Sequence, residues 1–188
     1  MTSSVAKLAS QGFIIRGRGL TVTRVAGLLA FATPGAGFIA GLFLVRSRPE
    51  FAFLEHPGSW PWELWVIAIG GSIATIAGFA DFVWHVRGLR EVSRREERGE
   101  IIALAVGGAP LFLIMAAASV TTAPKPFMLP ALVATMFTVA CVCHDEFVYH
   151  RLACKPLEAL FHRALIFGNG LAYLAWFHWV FVRDRLAG

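Results

Sequence analysis

The stretch that decides the fold runs from Leu64 to His85 and reads LWVIAIGGSIATIAGFADFVWH. From Leu64 to Ala80 it holds no charged residue. An α-helix rises about 1.5 Å per residue, so a run of this length reaches most of the way across the ~30 Å hydrocarbon layer of a bilayer. A surface helix of a soluble protein would show a polar face at a period of about 3.6 residues. Here the polar exceptions are Ser72 and Thr75, both small enough to bond back to their own helix.

Working outward, four more runs share this character. The spans are Val25 to Val45, Leu64 to Trp84, Ile101 to Val120, Phe127 to Phe147 and Leu160 to Val182. The expected fold is an all-α integral membrane bundle of about five transmembrane helices, with residues 1–188 as a single transmembrane domain. Composition agrees: 57% of the residues are hydrophobic and 15% charged, where a soluble domain carries about a quarter charged. The first run is too long, and lacks the small-residue cleavage site, for a signal peptide.

The loops orient the bundle. Twelve Lys and Arg fall in the amino-terminal segment, the second-to-third loop and the fourth-to-fifth connection, against five on the opposite side. That bias places the amino terminus in the cytoplasm of a bacterial-type inner membrane. Trp60, Trp62 and Trp65 beside the second span, and Trp176 and Trp179 beside the fifth, suit the interfacial belt on the other face. The net charge of +5 is thus a topology signal. It forms no continuous basic face, which excludes a nucleic-acid partner. Membrane lipid is the expected surrounding, and the small size and short loops suit a subunit of a larger membrane complex or a homo-oligomer. Cys141, Cys143 and Cys154 are odd in number and lie near the cytoplasmic end, so reduced thiols are expected.

Ionisable residues in membrane spans are costly and mark function by default. Three pairs share one form: Asp81 with His85 (DFVWH), Glu146 with His150 (EFVYH) and Glu158 with His162 (EALFH). In each, a histidine follows an acid by four residues, which puts both on one helix face about 6 Å apart along the axis. The second and fourth spans end, and the fifth begins, on the same side, so all three pairs fall at one membrane level. Oxygen and imidazole donors converging from three helices describe a metal site suited to iron, one ion or two, or to zinc or manganese. Helical di-iron sites likewise use inward Glu and His, though with two residues between them rather than three. His144, Asp145, Cys143 and Asn169 are candidate additional or supporting groups. A single acid–histidine pair would read as a helix-end ion pair; three at one level point to ligands.

The expected function is a membrane metalloprotein, leaning to an enzyme: a di-iron-type oxidoreductase acting on a lipidic or small apolar substrate. A zinc hydrolase is the variant, since zinc brings the pKa of bound water to about 7. A b-haem anchor subunit is the alternative, with His85 and His162, or His56 and His178, as axial ligands. The carboxylates disfavour haem, whose paired-histidine axial sites use neutral donors. His178 itself reads as an amphipathic residue of the interface beside Trp176 and Trp179.

Overall fold

The computed structural model describes residues 22–86, 99, 102–150 and 155–183; for residues 22–24, 26, 27, 30, 31, 33, 34, 86, 145, 149 and 150 it describes the backbone alone. The Arg-rich stretch after the second span and Cys154 lie outside the described residues. Helix α1 is Val22–Val45 and α2 is Trp62–Val86. Helix α3 begins as a π-helical turn, Ala103–Gly108, and continues as Ala109–Val120. Helix α4 is Met128–Asp145, extended by a π-helical turn, Glu146–His150. Helix α5 is Pro156–Phe177, extended by the π-helical turn His178–Val182. Four segments are long and apolar enough to cross a membrane: Trp62–His85, Ala103–Val120, Lys125–Val148 and Pro156–Val182; α1 contributes a shorter apolar segment, Gly35–Val45. The described residues form an all-helical bundle of membrane type, and its five helices fall on the five apolar runs.

Local chemistry fixes the boundaries. Pro110 has no N–H to give to the carbonyl four residues back, and the wider π turn that precedes it absorbs the missing bond. Helix α5 starts four residues before the apolar run because of its cap. Pro156 stands at the first helical position, and Glu158 at the third accepts the Lys155 backbone N–H at 3.4 Å. At the far end of α3, Arg48 from the α1–α2 connection donates to the Val120 carbonyl at 3.1 Å. That satisfies one of the carbonyls a helix end leaves open.

The most extensive contact is between α2 and α5. It depends on two glycines. A Cβ on Gly70 would stand 2.9 Å from the Gly168 carbonyl oxygen, and a Cβ on Gly168 would stand 2.7 Å from the Gly70 oxygen. The two backbones therefore touch, as small residues allow in membrane bundles. The apolar core lies toward the end where α2 begins. Leu64, Met115, Ala118, Ala175 and Trp179 are buried there, and Phe51 folds back from the α1–α2 connection to meet Trp179 at 6.2 Å between ring centroids. Outward-facing Ile76, Leu129, Met136, Phe167 and Leu174 are exposed. A soluble monomer rarely shows so much contiguous apolar surface, whereas in a bilayer lipid tails cover it.

Candidate functional site

The end of the bundle opposite the apolar core is polar. On the last two turns of α2, the first of α5 and the last of α4, the described side chains bring five of the six expected ligands into two groups. His85 Nε2 lies 3.4 Å from Asp81 Oδ2 on its own helix and 3.7 Å from Glu158 Oε1 on α5. His162 Nε2 lies 3.5 Å from Glu146 Oε2 on α4. Glu158 and His162 are one turn apart on α5, which joins the groups.

The pairing differs from the one the sequence spacing suggests. Asp81 and His85 do face each other within α2. Glu158 and His162, also four apart, turn to different helices: Glu158 meets His85 and His162 meets Glu146. The reason is the α2–α5 seam, which brings the start of α5 directly beside the end of α2. Once Glu158 has bound the Lys155 N–H and turned toward His85, its orientation is fixed from both sides.

Burial is uneven. Glu158 is fully buried and Asp81 is buried, while Glu146 keeps about a third of its side chain exposed, at 35%. Asp81 Oδ1 is shut off from solvent and has no hydrogen-bond partner among the described residues. The contacts of 3.4 to 3.7 Å are longer than the 2.7–3.2 Å of a good N–H···O bond. Among the described residues, no group of three or more His, Cys, Asp or Glu side chains is drawn together as a metal cage. The side chains of His150 and Asp145 lie outside the described set. Cys143, His144 and Asn169 are exposed.

A second polar cluster lies at the other end of the same helix pair, and sequence reasoning missed it. Glu63, in the first turn of α2, is fully buried. His178 Nδ1 donates to its Oε1 at 2.9 Å, and Arg183 donates to its Oε2 at 2.9 Å. The Trp62 ring lies over His178 with centroids 5.2 Å apart. His178 is thus more than an amphipathic residue of the interface: it clasps the end of α5 to the start of α2. Between the two ends, the Thr135 and Tyr173 hydroxyls bond α4 to α5, and Trp176 Nε1 donates to Ser119 Oγ at 2.8 Å.

Comparison with protein-family models, with curated proteins and with solved structures finds no match to this chain.

Proposed function

We propose that the protein is a multi-pass membrane metalloprotein, with a transition-metal centre held between the end of α2 and the start of α5. Asp81, His85 and Glu158 are the assigned ligands. Glu146 and His162 supply a second pair of donors one turn along α5, with His150 completing the set of six. A di-iron-type oxidoreductase acting on a lipidic or small apolar substrate is the activity that donor set suits best.

One observation carries this reading: an imidazole nitrogen flanked by two carboxylates from different helices, at 3.4 and 3.7 Å, one of them fully buried. Donors bound to a common tetrahedral ion at about 2.0–2.1 Å stand about 3.3–3.4 Å apart. A few tenths of an ångström of side-chain movement would take the Glu158 oxygen to that separation. Asp81 Oδ1, buried without a partner, adds an acceptor of the kind a cation satisfies.

The chain's own residues divide the remaining work. Glu158 is fixed by its bond to the Lys155 backbone, which limits how far the ligand set can spread. Glu146, the least buried of the five, would exchange protons with solvent. A bound metal supplies Lewis acidity or redox capacity, according to which ion is held.

Elemental analysis of the detergent-purified protein, with an absorption spectrum, tests the proposal. One or two equivalents of iron or another transition metal are expected. His85→Ala and Glu158→Gln should each remove at least half of the metal. Wild-type metal content in both variants, or no metal in the wild type, would show that the histidine–carboxylate contacts are structural. A Soret band would replace the proposal with a haem protein.

A further inference from the structure

Asn169 is a polar side chain in an apolar place. It stands midway along the segment Pro156–Val182, and so near the middle of the bilayer. It is exposed and makes no hydrogen bond among the described residues. An amide left to lipid tails is costly, because hydrocarbon offers it no partner. His162 lies two turns away, about 10 Å along the axis, too far for Asn169 to support it.

The register of α4 and α5 shows what lies opposite. These antiparallel helices are tied through side chains at two places: the Thr135 and Tyr173 hydroxyls, and Glu146 with His162 at 3.5 Å. Both ties fit one register, since eleven residues separate them on either helix. In that register Val139 is opposite Asn169: each lies four residues from its own partner in the hydroxyl pair. That spacing puts Asn169 on the α5 face that bears Tyr173 and His162, and Val139 on the α4 face that bears Thr135 and Glu146. The two should cover each other, yet Asn169 is exposed and Val139 is 51% exposed. Helix α4 packs instead on the first turn of α3. The α4–α5 pair is thus tied at two levels about 16 Å apart and stands open to the bilayer between them.

We infer that this opening is a lateral slot for a neutral, lipid-soluble molecule whose single hydroxyl or carbonyl oxygen meets the Asn169 amide. The amide both donates and accepts, so it serves either oxygen. Between the ties, the facing positions Val139, Val142 and Ile166 carry no charge, which suits an uncharged body. A helix is about 10–12 Å across. The hydroxyl pair at one end and the Glu146–His162 contact at the other hold α4 and α5 too close to admit one, whereas a hydrocarbon chain is narrower. Neither Asn169 nor Val139 is an assigned metal ligand, so the slot stands or falls apart from the metal reading.

The test is photolabelling of the full-length protein in phosphatidylcholine vesicles by a long-chain alcohol with a diazirine in its chain, the labelled residues being read by mass spectrometry. Label should concentrate on α4 and α5 around Val139 and Asn169. Excess oleyl alcohol or methyl oleate should compete it away, the stronger competitor telling hydroxyl from carbonyl, while octadecene, which lacks the oxygen, should not. Asn169→Leu removes the amide at similar volume, and Val139→Phe fills the slot from the other wall. Each should lower this labelling at least fivefold and leave labelling at Leu129 and Met136 unchanged. Label spread evenly over the lipid-facing helices, equal competition by octadecene, or undiminished label in both variants overturns the inference. So does a wild-type dimer that Asn169→Leu converts to a monomer with labelling unchanged, because the amide then pairs two copies of the chain.

Discussion

Glu63 shows how much a single carboxylate can constrain in this bundle. It is fully buried, while its partners His178 and Arg183 keep 41% and 45% of their side chains exposed. The asymmetry sets the ranking of variants. Removing both partners strands a buried carboxylate, which costs about 3–5 kcal/mol. Removing the carboxylate leaves two half-exposed polar side chains that can reach water or lipid headgroups, at a cost of about 1–2 kcal/mol. The His178→Ala, Arg183→Ala double variant should therefore unfold more readily than Glu63→Gln in a detergent-based denaturation series. Equal losses would show that the clasp is not held by Glu63's charge. The sequence gives little warning of this residue. A lone acid among three tryptophans reads as an interfacial group, and its partners are more than 110 positions away. The available signal was a carboxylate in the first turn of one span matched by a His and an Arg at the end of another on the same side. By contrast, Asp81 and His85 were legible because both partners lie within one helical turn. The exchange of partners between Glu158 and His162 was not, since it depends on which helix lies beside α5.

At the scale of elements, hydropathy anticipated the four segments long and apolar enough to cross a bilayer, because a bilayer imposes length and apolarity on every span alike, while of the first expected span the structure offers a shorter apolar segment, Gly35–Val45. What it left open was contact. Many glycines read the same in sequence, yet Gly168 touches the α2 backbone while Gly170, two residues on, has nothing within 4 Å of its would-be Cβ. Gly168→Ala should push α2 and α5 apart and cost about 1–3 kcal/mol. Gly170→Ala should be neutral or stabilise by up to about 1 kcal/mol, since alanine is the better helix former. Unfolding midpoints of the two variants in the same detergent check the contrast, and similar values would remove Gly168 from the seam. The effect should extend to function, because the seam is also what sets Glu158 against His85. If the proposed metal centre exists, Gly168→Ala should lower metal content where Gly170→Ala does not.

At the scale of the whole molecule, the bundle is built around one helix pair, with an ion cluster at each end and an apolar core nearer the Glu63 end. The charge bias of the loops predicts that the His85 end faces the cytoplasm. Single cysteines placed at Ser59 and, in separate molecules, at Ser93 should react with an impermeant thiol reagent from opposite sides of intact cells, Ser59 from outside. The native cysteines would be replaced beforehand. The reverse pattern would invert the molecule and place the histidine–carboxylate centre on the external face.

The reciprocal contact of Gly70 and Gly168 also limits how this sequence can drift over generations. At most packing sites a larger residue on one helix can be accommodated by a smaller one opposite. Here each side is already the smallest residue there is, and the obstacle each meets is the other's main chain. No second-site change of side chain can make room. Lineages that inherit this seam have no neutral path away from either glycine, and both positions should stay fixed even as the apolar residues around them are exchanged.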